Sequence, residues 1–483
     1  MVATLLLLGL VGCKAPGSGD AGPVFGDDRD FGFQDGALTD VTGTVSGIVP
    51  TVVHVQWTSA EAGASYVSYG LDGALDQQTP QDAGGTDHDV LVLGLKAGRS
   101  YTLQAVTLAG DGAALSSGTG SVTLDPAPES LGTFHVTVGD AQAMQPGGYI
   151  LTSLLQQSDS WMVVLDRDGE PVWYYPATAG FSIPTTHPGR DGSSLLFTQS
   201  GLDQDQDISD ILRVSMDGSQ VTTTRALLGH HAFVELPDHR FAWVSLDIRD
   251  AYVDGQTLTL AGDTVLEIDE GATDADTPTE VFNFFDDWGT APYRMCRHCD
   301  AEAYQTGAQD WTHSNSLMYV EDQDDLYLMS KNLDAVLRID RSSGQLVWQL
   351  GGQESDFTGP DGAWWSHGHM SQLWDGGMVV FDNGYHHEPV RSRVVAYRWD
   401  EGARTVSPTF QYTDPQGRFI QLLGDGRLLE NGNVLASWTA AGLLTEVTPD
   451  DAVVWRLESD LGTAIGRVTM LRDLYTLDRA EAH

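Results

Sequence analysis

Three short stretches place histidines where they could do chemistry together: "GHHAF" with His230 and His231, "DWTHSNSL" with His313 and Asn315, and "SHGHMSQ" with His367 and His369. His313 and Asn315 are two apart, as are His367 and His369, and each pair precedes an apolar run. Residues two apart on a strand share a face, so each stretch can present its pair to one side. His231 precedes Asp238 by seven residues, Asn315 precedes Asp322 by seven, and His369 precedes Asp375 by six. This spacing makes the three positions near-equivalent, and equivalent positions in a repeated unit converge on one axis. Several imidazoles with few carboxylates suit an anionic group: neutral imidazole is a nucleophile near neutral pH, and its conjugate acid donates to anions. Lys331, one of three lysines with Lys14 and Lys96, follows His313 by one strand and can hold the oxygens of a transferring group. Metal binding is the competing use of the histidines. A non-catalytic surface for a polyanion or a protein is the alternative outside enzymology.

The elements that must carry these residues are strands. From residue 131 to 476, "LDRDGEPVWYY", "IDRSSGQLVWQL" and "VTPDDAVVWRL" each read as strand, tight turn and Val-Trp, with turn-centred strand pairs such as "ELPDHRFAWVS" and "LENGNVLASW" upstream. A unit of about four strands over roughly 50–60 residues is the signature of a β-propeller. The length of the region implies six blades, with five or seven also compatible, and the Val-Trp strands pack between blades. Residues 43–126 show short alternating strands between Gly and Asp turns, which predicts a β-sandwich with Trp57 in its core. The fold class is therefore all-β, a propeller preceded by a small sandwich.

Residues 1–13 end an apolar run in "LVGC". They read as a lipoprotein signal peptide with Cys13 as the lipidated residue. Residues 14–42, rich in Gly, Asp and Pro, read as a flexible tether. The expected location is the cell envelope, as an exported, lipid-anchored protein. There an oxidising compartment favours a disulfide between Cys296 and Cys299 of "CRHC", with a zinc half-site as the alternative. A net charge of −43 argues against nucleic acid as a partner.

"DWTHSNSL", "LYLMSKNLDAVLRIDRSSGQLVWQLGG", "HGHMSQLWDGGMVVFDNG" and "LLENGNVLASW", in this order, resemble the bacterial arylsulfate sulfotransferases over most of residues 145–475. "GHHAFVELPDHR" is similar to that family's double-histidine segment. The segment "LKAGRSYTLQAVTLAGDG" resembles the end of a fibronectin type III domain. The first resemblance implies a six-bladed propeller that moves a sulfuryl group from an aryl sulfate donor to a phenolic acceptor through a sulfo-histidine, with no cofactor. It implies His369 as nucleophile, with His367 as the alternative. His313, Asn315, and His231 or His230 would hold the sulfuryl oxygens, with Lys331 beside them. The chain departs from the family in carrying Lys331 where an Arg is expected and Ala232 where an acid is expected. Its "HGH" hairpin is also one residue shorter. A mobile point charge in place of a planar fork is not a conservative exchange.

Overall fold

The structure is a computed structural model, described for residues 26–155, 160–200, 209–293, 303, 306–461 and 464–482. Cys13, Cys296 and Cys299 lie outside the described residues.

Two antiparallel sheets form the N-terminal unit. One runs Arg29–Gly32, Thr42–Val45, Val53–Gly63, Gly85–Val92 in spatial order. The other is built on Gln77–Gln78, Ser65–Leu71 and Ser100–Leu108, with Ala114–Ser116 and Gly120–Thr123 both paired to the last. Their inward faces share one core of Val53, Val55, Trp57, Val67, Val90, Leu103 and neighbours. Trp57 is buried there, its Nε1–H donating to Thr107 Oγ1 at 2.9 Å. The expected tether is shorter than its composition suggested. Arg29–Gly32 pairs in register with Thr42–Val45, and Leu38 and Val41 are buried. Alternating apolar residues, few as they are, outweigh the Gly and Asp around them once a neighbouring strand completes the ladder.

Six sheets, antiparallel except for the short parallel pairing of Gln309–Asp310 with Gln256–Asp269, follow one another along the rest of the described chain. Their strands nearest the centre are β1 (Thr186–Pro188), β2 (Gly229–Leu236), β3 (Ser314–Val320), β4 (His369–Trp374), β5 (Asp425–Leu428) and β6 (Thr469–Leu471). The middle strands are buried along their length and mainly apolar, such as "WMVVL" and "DLYLMS", because both faces of each sheet are covered. Apolar clusters lie between consecutive sheets. Met162 and Trp173 meet Leu195 and Phe197, and Leu196 meets Phe233. Val244 meets Leu317 and Leu328, Met329 and Trp348 meet Val380 and Tyr397, and Phe381 meets Trp438. A last cluster joins Trp455 and Leu444 of the final sheet to Ile150 and Val163 of the first. The Val-Trp tryptophans Trp173, Trp348 and Trp455 are fully buried in these seams, as their repetition predicted.

The chain ends interlock. β6 pairs with Tyr149–Leu155 in the first sheet, so a C-terminal strand supplies the central edge of the N-terminal sheet. Conversely, Phe134–Gly139 forms the outer edge of the last sheet against Val453–Ser459. The sandwich is docked by Val49, Val52 and Leu93, which enter the seam of the first two sheets, and by Lys96. The Lys96 Nζ lies 2.8, 2.9 and 2.6 Å from Asp166, Asp168 and Glu170. This trio is the sole acidic or histidine group within metal-binding reach among the described residues, and the Lys96 ammonium already sits in it.

Truncation after Asp460 removes β6 and leaves Tyr149–Leu155 without its inner partner. The shortened protein is expected to lose its cooperative melt and become protease-sensitive at 25 °C. An unchanged Tm would show that β6 is dispensable.

Candidate active site

β2, β3 and β4 each open with an irregularity that turns a histidine toward the axis. His231, His313 and His367 all have positive φ, at 53°, 48° and 54°. Left-handed backbone is uncommon outside Gly, and here it recurs at three histidines. A bulge accompanies each of them. One extra residue sits between Ser314 and Ser316, and one between His369 and Ser371. Two sit between Gly229 and Phe233. Sequence spacing set His231 level with Asn315 and His369. Its backbone conformation instead matches His313 and His367, because β2 carries the longer bulge.

The bulges bring the rings together. His231 lies against His313, with ring centroids 4.8 Å apart, and His230 lies edge-on to His231 at 5.2 Å. The His230 Nδ1 lies 2.9 Å from the His231 Nδ1, and its Nε2 is 3.2 Å from Asp263 Oδ1. Asp263 also accepts from Thr312 Oγ1 at 2.7 Å and from the Ser314 N–H, so it anchors the "DWTHSNSL" entry. Asn315 is buried, its Nδ2 donating to the Gly368 carbonyl at 2.9 Å, between the two histidines of "HGH". The Lys331 N–H donates to the His313 carbonyl at 3.2 Å. Lys331 thus follows the strand after β3 back to the same end of the axis.

His369 is 1 % exposed, and its Nδ1 lies 2.6 Å from Asn383 Oδ1. The Asn383 Nδ2 donates to the carbonyls of Ile420 and Leu423 at 2.8 and 2.9 Å. An amide nitrogen facing two carbonyls leaves its oxygen facing the imidazole, and an amide oxygen only accepts. His369 therefore carries its proton on Nδ1, and its lone pair is on Nε2. His313 is oriented by the same logic, its Nδ1 bonding Asp310 Oδ2. His367 stacks on Tyr385, with centroids 4.5 Å apart, and its Nε2 is 3.2 Å from that of His386. Tyr385 in turn meets Phe419 edge-on, and His386 is exposed, so aromatic and imidazole groups frame the mouth.

Burial holds all four inner imidazoles toward neutrality. His369 and His231 are pushed well below the ordinary histidine value, with the Lys331 charge among the causes for both, and with His313 and His230 also acting on His231. His313 is lowered by burial and then by Lys331, partly offset by Asp310. His367 is pushed down to about 3 by burial, then by Lys331 and His386. Asp310 is lowered despite its burial by His313 and Lys331. Asp334 accepts the His367 N–H at 2.5 Å, yet burial raises its carboxyl to about 7.

Sequence reasoning set aside His386 and did not single out Asp310, Asp263, Tyr385 or Asn383. Asp310 heads the "DWTHSNSL" string, and Asn383 lies in "FDNG". Both were in view but carry no spacing signal, because their strands meet the histidines only through the fold.

A family model of arylsulfotransferase (ASST) matches residues 135–458, about two thirds of the chain. The chain belongs to the arylsulfotransferase family. All seven histidine-site residues named from the sequence fall inside the matched range. No curated protein matches this arylsulfotransferase family member. Among solved structures, a protein of unknown function from Bacteroides caccae is similar at 16% identity and TM-score 0.40, over 68% of this chain and 100% of that one. A streptogramin B lyase is similar at 11% identity and TM-score 0.40, over 70% of this chain and 94% of that one. A nidogen/laminin complex component is similar at 12% identity and TM-score 0.40, over 68% and 100%. Likeness at this level carries no functional meaning.

Two pH effects follow from the burial. A histidine whose folded value lies below its unfolded value loses stability as pH falls, because the unfolded chain takes up the proton first. The Tm is therefore expected to fall as pH drops from about 6.5 toward 3, and His367→Gln should flatten that fall; an equal slope in the variant would show that His367 does not contribute. Asp334 has the reverse sign to a paired carboxylate. Its stability contribution is lost as pH rises from about 4 to about 7. Asp334→Asn, which still accepts the His367 N–H, is expected to raise the Tm at pH 8 and leave it nearly unchanged at pH 4. A lower Tm at pH 8 would mean the charged carboxylate is stabilising.

Proposed function

We propose that this chain transfers a sulfuryl group from an aryl sulfate ester to a phenol through a sulfo-histidine on His369. The observation that carries the reading is the Asn383 carboxamide bond, which leaves the Nε2 lone pair of a buried, neutral imidazole facing outward from the Nδ1–Asn383 axis. A nucleophile oriented by a second group with its proton on the far nitrogen is the general arrangement of activated nucleophiles.

In the first half-reaction Nε2 of His369 attacks sulfur. The S–O bond to the aryl group breaks, and its electron pair leaves on the phenolate oxygen. Charge on the three sulfuryl oxygens is held mainly by the Lys331 ammonium. The Asn315 carboxamide has a second N–H beyond the one bound to Gly368 and can donate as well. In the second half-reaction an acceptor phenol attacks sulfur, the N–S bond breaks, and its pair returns to Nε2. The phenol proton passes to a base. His313 is suited to that role: Nδ1 is held by the ionised Asp310, and the resulting imidazolium would be stabilised by it. Tyr385 and Phe419 supply aromatic surface for the aryl ring next to His367. Lys331 replaces a planar fork by a point charge, and so makes the oxygens' orientation depend more on Asn315 and His231. Anchoring through Cys13 at the cell envelope belongs to the same reading.

The test is turnover of a chromogenic aryl sulfate with a phenol acceptor, combined with intact-mass measurement after rapid quench without acceptor. The wild type is expected to release phenol and carry one SO₃ adduct. His369→Gln should show neither, and Lys331→Met should lose on the order of 10²-fold in kcat. An adduct that persists in His369→Gln and disappears in His367→Gln would transfer the nucleophile to His367; no adduct and no phenol from folded wild type would sink the reading.

A further inference from the structure

The opposite ends of β2 to β5 open into a second space, distinct from the histidine site. A cavity of about 1220 Å³ is lined by His187, Val234, Leu317 to Tyr319, Ser371 to Trp374, and a set of arginines. Of these, Arg467 has no carboxylate within ion-pair reach among the described residues, although it is 2 % exposed. Its Nη2 donates to Ser316 Oγ at 3.1 Å, its Nη1 is 3.4 Å from His187 Nε2, and its Nε has no partner. A buried guanidinium without an anion is costly, and proteins rarely keep one without a use. Arg427 lies on the same wall and is answered internally by Asp425, with Nη2 2.9 Å from Oδ2. Arg479 lines the cavity too, and Glu481 is the carboxylate that acts on it. Arg479 likewise forms no ion pair among the described residues, and Asp425 and Glu481 act on Arg467 only from beyond ion-pair distance, so three arginines share two carboxylates.

Arg467 stays a cation at neutral pH, since burial followed by the charge of Arg427 lowers it only to about 10. His187 is held neutral by burial and by Arg467, so it accepts from the guanidinium without competing as a cation. Of the other lining carboxylates, Glu321, Asp478, Glu235 and Glu401 are paired with Arg190, Arg472, Arg213 and Arg338, while Asp322 and Asp375 form no ion pair among the described residues. The four paired ones oppose an entering anion less than their number suggests.

We propose that this far end of the axis is a second oxyanion site, in which the Arg467 guanidinium, with Arg427 and Arg479 beside it, binds a tetrahedral dianion such as sulfate or phosphate. The planar fork of Arg467 matches two oxygens of such an anion. Ser316 connects the site to the catalytic end: its Oγ bonds Arg467 and also lies 3.3 Å from the Ser371 N–H and 3.2 Å from Ser371 Oγ, two residues beyond His369. The site does not depend on the sulfo-histidine reading, because none of its residues belongs to the histidine cluster.

Titration calorimetry with sodium sulfate and with sodium phosphate, each against sodium chloride at matched ionic strength, tests it. Saturable binding is expected in the wild type and in Lys331→Met, and at least tenfold weaker binding in Arg467→Gln. The ratio of the two affinities identifies which anion the site takes. No saturable heat above chloride, equal affinity in Arg467→Gln, or loss of binding in Lys331→Met would each overturn the proposal, the last by moving the site to the histidine end. If Arg467→Gln does not fold, selenate soaked into wild-type crystals decides. An anomalous peak within hydrogen-bond distance of Arg467 supports the site, and a peak only at Lys331, or none, overturns it.

Discussion

Asn383 has two N–H groups and one acceptor oxygen, and the fold directs all three. The N–H groups are taken by the carbonyls of Ile420 and Leu423, which lie on the connection between the fifth and sixth sheets. The oxygen is then left for His369. Because an amide cannot turn over without placing its nitrogen against a proton donor and its oxygen against two carbonyls, the tautomer of the His369 imidazole is set by backbone about fifty residues downstream of it. The histidine ring stands on β4, its orienting group just past the end of the neighbouring strand Gly377–Asp382, and the carbonyls that orient the orienter on the following loop. Packing of the fifth sheet against the sixth, through Phe381 and Trp438, keeps these three levels in contact.

The electrostatics of the axis rest on the same layering. One ammonium, Lys331, acts on His231, His313, His367 and His369 together, and burial adds to its effect on each. Imidazoles that resist protonation keep their lone pairs at neutral pH. The cost is acid sensitivity, since every one of them prefers the neutral form more strongly when folded than when unfolded. The far end of the axis is the inverse case, with arginines instead of histidines and carboxylates already engaged.

Much of this was legible from residue order. Strand-turn-Val-Trp units repeat because each sheet must cover its neighbour, and apolar periodicity reports that directly. The histidines at the strand entries stood out because polar residues just ahead of apolar runs are conspicuous. What could not be read was conformation inside the entries. The double bulge in β2 rotates His231 into the company of His313, and turn-to-histidine counting is blind to it because turn lengths differ: the sheet containing β3 turns through a 3₁₀ segment at Glu321–Gln323, whereas β4 turns through Asp375 and Gly376 alone. Asn383, Asp310 and Asp263 were equally hidden. A carboxamide or carboxylate among many gives no signal until another element is folded over it. In the same way, the first strand of the sandwich lay inside a stretch whose Gly and Asp content resembled a tether.

The exchange of edge strands between the first and last sheets has a temporal side. Tyr149–Leu155 leaves the ribosome more than three hundred residues before β6, which completes its sheet. Until those final residues emerge, the central edge of the first sheet is an open ladder, and the last seam, between Trp455 and Ile150, is unformed. The histidines have all been synthesised by then, yet the ring that would crowd and neutralise them is still incomplete. Assembly of the axis is thereby deferred until β6 has been made, and a chain that stops short of it, whatever its sequence of histidines, has no assembled centre.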